Sequence, residues 1–206
     1  MARLTKDVES VTVEEARHTD IDAIAEIGIE SLPLQFDDKV PRWFTDFAIE
    51  KSFGKDAVAR ALDKQLRTTL VARSGNEEVI GFAQIIRDCQ CPHRPYDQAS
   101  RITLNKLYVK EGFRGCGVGG KLMEAVENLV MEEGHRAVWL LVYEGNETAR
   151  SLYTKRGWKT TVPIDFELRG QRFRDWVLEK KFDCDGVPGT KWSVEPEWIL
   201  DVYAPW

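Results

Sequence analysis

The sequence has 206 residues, of which 43% are hydrophobic and 31% charged, the balance of an ordinary globular protein that can bury a core. The net charge of −5 argues against nucleic acids and anionic membranes as partners and favours cationic partners such as amines. No run is long enough to span a bilayer, residues 1–10 lack the apolar segment of a secretory signal, and the four cysteines form no disulfide framework, so we expect one cytoplasmic domain over residues 1–206.

The N-terminal part of the chain is predicted to contain one strand and two helices. Residues 11–16 favour a short strand, and Thr19 can cap a helix whose apolar face extends to Leu32. Residues 34–53 are rich in aromatic side chains with interleaved acids, and we assign them to no regular element. A second helical pattern covers residues 55–67.

Two strands and a polar loop follow. The segments 69–73 and 79–86 are predicted strands, joined by a turn at residues 74–77. The loop 87–100 contains the sequence Cys89-x-Cys91-x-His93. A zinc site usually needs a second pair of ligands, and the sequence offers none, so we expect incidental thiols and no metal site.

The next segment carries the strongest functional signal. A predicted strand, residues 102–110, leads into the run 114–121, Arg-Gly-Cys-Gly-Val-Gly-Gly-Lys, and a helical pattern continues to residue 133. Glycines let backbone N–H groups approach a phosphate closely, and a helix N-terminus adds unpaired donors and a partial positive charge. The run therefore predicts a site for a phosphorylated ligand.

Two well-known glycine patterns fit this run imperfectly. The P-loop pattern G-x-x-x-x-G-K-[ST] fits residues 115–121, but Leu122 stands where a magnesium-binding hydroxyl is needed. The dinucleotide fingerprint G-x-G-x-x-G fits residues 115–120, but five residues, 110–114, separate it from the strand. That connection is too slack for the tight strand-to-helix turn of the fingerprint.

A third pattern, Arg/Gln-x-x-Gly-x-Gly/Ala, is satisfied by Arg114, Gly117 and Gly119, and the downstream sequence favours it. Residues 137–143 are continuously apolar, as in a strand covered on both faces. Asn146 is a suitable N-cap for the short helix that follows.

Taken together and in order, these segments resemble the GNAT superfamily of N-acetyltransferases. The matching segments are Leu107-Tyr108-Val109, Arg114 to Gly119, residues 137–143, Asn146-x-x-Ala149-x-x-Leu152-Tyr153, and Gly157-Trp158. The resemblance covers about residues 10–182. The string from Leu140 to Ala149, L-x-V-x-E-x-N-x-x-A, is similar to that of both small-amine and protein N-terminal acetyltransferases, so the acceptor class stays open.

The resemblance implies an α/β fold with a central mixed sheet of about seven strands and helices on both faces. Its two central parallel strands, residues 102–110 and 137–143, would splay apart. Residues 162–168 and 173–182 alternate apolar and polar side chains and would form the final hairpin.

In the resembled family, acetyl-CoA lies in this splay, with its pantetheine arm on the strand edge and its pyrophosphate on the glycine turn. The implied cofactor-binding residues are Leu107, Tyr108, Val109, Arg114, Gly115, Cys116, Gly117, Val118, Gly119, Gly120, Asn146, Ala149 and Tyr153.

The implied reaction is direct attack of a primary amine on acetyl-CoA. Tyr153 would be the general acid for the departing thiolate, and a backbone N–H within residues 107–109 would stabilise the oxyanion. Asp37 and Asp38 are candidate amine-binding residues, because their loop flanks the acceptor site in the family. Further candidates are Asp88, His93 and Asp97. The sequence does not identify the general base.

Two other functions stay open: a CoA-binding regulatory module without turnover, and a dinucleotide-binding protein. The tail 183–206 lies outside the resemblance and is dense in aromatic and aliphatic side chains. Because disordered tails are poor in such residues, we expect an ordered tail, packed within its own subunit or across a homodimer.

Overall fold

The structure, a computed structural model, describes residues 10–36, 39–93 and 101–182. The tail 183–206 lies outside these ranges, so its order and its place in a homodimer stay predictions. The regular elements in chain order are β1 (Thr12–Glu15), α1 (Ile21–Ser31), α2 (Arg42–Phe53), α3 (Lys55–Leu62), β2 (Arg67–Arg73), β3 (Val79–Ile86), β4 (Thr103–Val109), α4 (Val118–Glu132), β5 (Ala137–Tyr143), α5 (Glu147–Lys155), β6 (Lys159–Leu168) and β7 (Gln171–Lys181). None of the helices described is long and apolar enough to cross a bilayer.

The strands form one mixed sheet in the order β1-β2-β3-β4-β5-β7-β6. Every neighbouring pair is antiparallel except β4 and β5, which are parallel and lie at the centre. The predicted seven-stranded mixed sheet is therefore confirmed, including its central parallel pair.

Helices cover both faces of the sheet, as predicted. On one face α4 buries Leu122, Met123 and Val126 against strand residues such as Leu104 and Leu140. On the other face the core includes Ile24 and Ile27 of α1 and Phe53 of α2, packed with Val71 and Phe82.

Strand β5 shows why a continuous apolar run predicts a central strand. Val138 and Leu140 pack on the α4 face, whereas Trp139 packs on the opposite face with Cys89 and Cys91. The indole N–H of Trp139 donates to the carbonyl oxygen of Cys89 at 2.9 Å, so its polar atom is satisfied inside the core. The described residues contain no group of three or more side chains suited to a metal ion.

Two element predictions were wrong. Residues 34–53, assigned to no element, contain α2, and the helix predicted over 55–67 ends at Leu62. Tertiary packing determines α2: the ring of Phe53 lies so close to Gly28 of α1 that a Cβ there would collide with it. Helix α4 begins at Val118 rather than at residue 121, so the last glycines of the turn belong to its first turn.

Candidate active site

The parallel strands β4 and β5 separate after a single registered pair, Thr103 with Trp139. On its other edge β4 stays paired with β3 as far as Val109. Among the described strands, the edge of β4 that faces β5 is therefore open, and a cavity of about 800 Å³ lies beside it. An open strand edge is a template for an extended ligand that carries amide groups.

A bulge in β4 determines which of its side chains point to each face of the sheet. Gln84 of β3 lies opposite Lys106 and Ile85 lies opposite Leu104, so Asn105 is the extra residue. As a result Leu104 packs with the α4 core, whereas Tyr108 packs with the α1–α2 core.

The glycine turn lies at the mouth of the cavity, immediately before α4. Gly115 and Gly117 have φ angles of 75° and 86°, and a Cβ at either position would meet no atom within 4 Å. No side chain caps the first turn of α4, a helix of 15 residues. This backbone cradle, with free space above it and a helix N-terminus beneath, fits an anionic group such as a pyrophosphate.

Arg114 ties the turn to its surroundings. Its Nε donates to the carbonyl oxygen of Val109 at 2.9 Å, and its Nη2 donates to Ser31 Oγ at 3.0 Å. The guanidinium therefore links the end of β4 to the end of α1 while its exposed side borders the cavity.

A second arginine, Arg156, borders the same turn and was missed in the sequence. It follows the last residue of α5 and lies so close to Gly120 that a Cβ there would collide with its guanidinium. A basic residue at a helix C-terminus usually complements the helix dipole, so the pattern gave no signal of a ligand.

Helix α5 and its N-cap form one wall of the cavity, and they carry Asn146, Ala149 and Tyr153, the motif residues named in the sequence analysis. The side chain of Asn146 accepts a hydrogen bond from the Ala149 N–H at 3.1 Å and caps the helix, as predicted. Tyr153 lies one turn after Ala149, and its ring packs 5.6 Å from that of Trp158. Burial and the nearby Tyr108 raise the pKa of Tyr153, so its hydroxyl keeps its proton at neutral pH.

Two of the expected ligand contacts do not line the cavity with their side chains. Cys116 is exposed, and its thiol lies 3.7 Å from the carbonyl oxygen of Arg114. Val118 is buried in the core beneath the sheet. At Val118 only the backbone N–H can therefore face a ligand, whereas the Cys116 N–H already donates to the carbonyl oxygen of Phe113 at 3.4 Å.

The far end of the cavity is lined by five aromatic rings, hereafter the aromatic end. Phe44 stacks with Phe173 at 4.5 Å, and Phe166 also stacks with Phe173, at 5.2 Å. Phe36 meets Phe44 and Tyr143 edge-on at 5.6 and 5.4 Å. Phe173 is buried, whereas the other four rings are partly buried, and all five line the cavity.

One carboxylate, Asp175 of β7, lines the cavity at this end and was not identified from the sequence. Its cross-strand neighbours are Tyr143 on β5 and Ile164 on β6. Burial, helped by the negative charge of Glu144, raises the pKa of Asp175 to about 7.

A partly buried lysine, Lys106, lines the cavity from β4. Its Nζ donates to the carbonyl oxygen of Ser52 at 3.1 Å and lies 4.7 Å from the centre of the Phe53 ring. Burial, with a contribution from the positive charge of Arg67, lowers the pKa of Lys106 to about 7.

The other predicted acceptor residues are not part of the cavity as described. Asp37, Asp38 and Asp97 lie outside the described residues. Asp88 forms an ion pair with Arg101 at 3.2 Å, and the Cys91 thiol contacts His93 Nδ1 at 3.2 Å. Neither Asp88 nor His93 lines the cavity.

Comparison with known proteins points to one family. The sequence model of the Acetyltransferase (GNAT) family matches residues 34–158, more than half of the chain. An uncharacterized N-acetyltransferase of Mycobacterium tuberculosis (strain ATCC 25618 / H37Rv) is 27% identical over 164 residues, covering 79% of this chain and 98% of the relative. An uncharacterized N-acetyltransferase of Lactobacillus delbrueckii subsp. lactis is 30% identical over 145 residues, covering 63% of this chain and 83% of the relative.

Among solved structures, PaiA N-acetyltransferase of Thermoplasma acidophilum, crystallised in complex with coenzyme A, superposes with a TM-score of 0.65. It is 19% identical to this chain, covering 84% of this chain and 99% of its own. The likeness shows the same fold.

Proposed function

The chain belongs to the acetyltransferase (GNAT) family and is an acyltransferase enzyme, and we propose that it moves the acetyl group of acetyl-CoA to a primary amine within the cavity between β4 and β5. The observation that carries this proposal is the open edge of β4, which is followed, after a short 3-10 helix, by a glycine turn at a helix N-terminus. An extended, amide-bearing arm followed by a pyrophosphate matches both features in that order.

The donor half of the site is formed by backbone and two arginines. The open edge at Leu107–Val109 would hold the pantetheine amides, and the N–H groups of residues 115–120 would hold the pyrophosphate. Arg114 and Arg156 flank that turn and add positive charge to it. When bound, acetyl-CoA supplies the thioester that the amine attacks.

Tyr153 is the proposed donor to the departing thiolate. It lines the same cavity from α5, and its raised pKa keeps the phenol protonated at neutral pH. A phenol with a raised pKa is a weak acid, so we expect it to act chiefly by donating a hydrogen bond as charge develops on sulfur.

The structure argues against a nucleotide site of another class. Leu122 of α4 is fully buried in the core, and its apolar side chain has no oxygen atom to bind a magnesium ion. A short 3-10 helix, Glu111–Phe113, separates β4 from the glycine turn, which excludes the tight turn of a dinucleotide fingerprint.

Titration with CoA, NAD and ATP tests the donor site, and turnover of a panel of amines, followed as free thiol, tests catalysis. We expect binding of CoA alone among the three, and thiol release that depends on an amine. CoA binding without turnover of any amine would instead indicate a regulatory module.

A further inference from the structure

The aromatic end holds a carboxylate in a position where apolar side chains are the rule. Phe173, Asp175 and Val177 are alternate residues of β7 and therefore share one face of the sheet. Directly across the strands from Asp175 lie Tyr143 and Ile164. A carboxylate in such surroundings costs stability unless a partner compensates it, and this cost favours a functional role over a structural one.

Within the described residues, no side chain donates a hydrogen bond to Asp175 or forms an ion pair with it. The charged groups on the elements around it are already engaged or repel it. Glu144, at the end of β5, carries the same charge. On β6 and β7, Asp165 pairs with Arg174 at 2.6 Å, and on α2 Arg42 and Asp46 are exposed and lie 4.0 Å apart. Lys106, which also lines the cavity, donates to the backbone carbonyl oxygen of Ser52.

We propose that Asp175 receives the ammonium group of the acceptor and takes its proton, and that the acceptor carries an aromatic or bulky apolar group that packs among the five rings of the aromatic end. This inference rests on the proposed acetyltransferase function and names its base and its substrate class.

The ring arrangement supports an apolar cationic amine in particular. An ammonium beside aromatic rings gains cation–π attraction in addition to its ion pair with the carboxylate. An aromatic substituent can continue the existing stack of Phe44, Phe173 and Phe166. Among the residues that the structure describes, Asp175 is the one carboxylate that lines this end, so a polyamine would find a single ion-pair partner there.

The proton balance follows from the groups on the cavity wall. The Asp175 carboxylate takes one proton from R–NH₃⁺ and leaves R–NH₂, whose lone pair forms the new N–C bond to the acetyl carbon. The C–S bond breaks with its electron pair on sulfur, and the departing thiolate accepts a hydrogen bond from the Tyr153 hydroxyl. The nitrogen loses a second proton to solvent, the thiolate takes one proton from solvent, and Asp175 releases its own proton to solvent. Overall one ammonium and one thioester give one amide, one thiol and one proton.

The base would be poised for this step, since the pKa of Asp175 lies near 7 and efficient general bases titrate near the working pH. With an ammonium as the species that binds, kcat/KM should rise as Asp175 ionises and then stay level until the free amine itself deprotonates. Without the carboxylate, only the small fraction of amine that is already unprotonated can react, so kcat/KM should rise steadily up to pH 9.

The test compares wild type, Asp175→Asn and Glu144→Gln with 2-phenylethylamine as the acceptor, from pH 5.5 to 9. We expect Asp175→Asn to lower kcat/KM at pH 7 by about 10²-fold or more and to abolish the level region of the profile. Glu144→Gln should keep the profile but move its acid limb to lower pH, because a like charge beside Asp175 is removed. An Asp175→Asn profile that coincides with that of wild type overturns the base assignment.

The substrate class is tested with n-propylamine beside 2-phenylethylamine, and with Phe44→Leu, which keeps an apolar side chain but removes the stacked ring. Wild type should prefer 2-phenylethylamine, and Phe44→Leu should reduce that preference. Equal or better turnover of n-propylamine by wild type overturns the aromatic acceptor while leaving the acetyltransferase function in place. CoA binding is measured in every variant, and wild type that binds CoA but acetylates no amine removes both proposals.

Discussion

The guanidinium of Arg156 lies directly against Gly120, in the first turn of α4, where any Cβ would collide with it. This contact places a cation from the end of α5 beside the backbone cradle of the glycine turn. The two helices that flank the splayed strands therefore meet at the predicted pyrophosphate site.

Replacing Arg156 by Ala should weaken binding of CoA and leave binding of pantetheine unchanged, because pantetheine lacks the phosphates. A charge-assisted contact of this kind contributes on the order of 1.5–3 kcal/mol, or about tenfold or more in Kd. Calorimetric titration of both ligands measures the effect. Lys155→Ala is the matched control, since Lys155 is the adjacent basic residue and does not line the cavity. Equal losses of CoA affinity in the two variants would show that Arg156 acts only through its net charge and makes no specific contact with the phosphates.

Gly120→Ala should also weaken CoA binding, because the new methyl group displaces the Arg156 guanidinium. Gly119→Ala is its control: a Cβ at residue 119 would make only ordinary contact with Val109 at 3.7 Å. We expect a several-fold higher Kd for Gly120→Ala alone. The same Kd for both variants would show that Arg156 moves aside without consequence.

Gly117→Glu should abolish CoA binding, by steric block and by repulsion of the phosphates. Gly157→Glu separates this effect from backbone strain, because both glycines have a φ of 86° and open space beside them, but Gly157 does not line the cavity. Both substitutions should lower the free energy of unfolding by a similar amount, about 1–2 kcal/mol, and both variants should therefore melt at a lower temperature than wild type. Stabilisation by CoA in a thermal melt should persist in Gly157→Glu and disappear in Gly117→Glu; its survival in both would exclude the turn as the phosphate site.

Tyr153→Phe should lower kcat and leave the KM for acetyl-CoA nearly unchanged, because the hydroxyl is needed only as the thiolate departs. The expected loss is about 10²-fold or more. Tyr108→Phe is the informative comparison, since the Tyr108 hydroxyl also lies near Tyr153 and bonds to Gln35. A kcat loss in Tyr108→Phe with none in Tyr153→Phe would assign the thiolate donor to Tyr108.

Asp175→Asn should stabilise the fold in a pH-dependent way. Because the pKa of Asp175 rises from 3.8 to about 7 on folding, the folded protein binds the proton more tightly than the unfolded chain does. Stability from this group is therefore complete below about pH 4 and is lost as the pH rises to 7. Between pH 4 and pH 8, the free energy of unfolding of the variant, measured with denaturant, should rise relative to that of wild type by up to about 4 kcal/mol. A constant difference across that range would show that the Asp175 pKa is unshifted.

The core of the fold could be predicted because buried central strands carry uninterrupted apolar runs. Residues 137–143 and 79–86 were assigned with the bounds that the structure shows for β5 and β3. Helix α2 could not be predicted in this way, because its aromatic side chains do not form one apolar stripe. Phe53 packs against α1, whereas Phe44 packs against Phe36 and Phe173 at the cavity.

The proposed donor half of the site could be predicted because it consists of backbone features with sequence requirements, such as glycines with positive φ and an Asn cap. The proposed acceptor half could not, because it is assembled from three strands, a loop and α2. One local signal was available: Asp175 interrupts the apolar stripe of Phe173 and Val177 on alternate residues of a strand. A polar residue at an inward position of a strand is a better guide to a site than an acid in a loop.

Hydrogen exchange of the peptide that covers Thr103–Val109, measured with and without saturating CoA, tests most directly whether the open edge of β4 holds the acyl donor. Beyond the single pair of Thr103 with Trp139, the edge facing β5 has no strand partner in the described structure, so its amides should exchange readily in the free protein and slow markedly when pantetheine pairs with them. The amides of β2, which is paired on both sides, serve as the internal reference. We expect CoA to slow amide exchange in β4 of the wild type and not in Gly117→Glu. Unchanged exchange in β4 of the wild type at saturating CoA would contradict a donor site between β4 and β5.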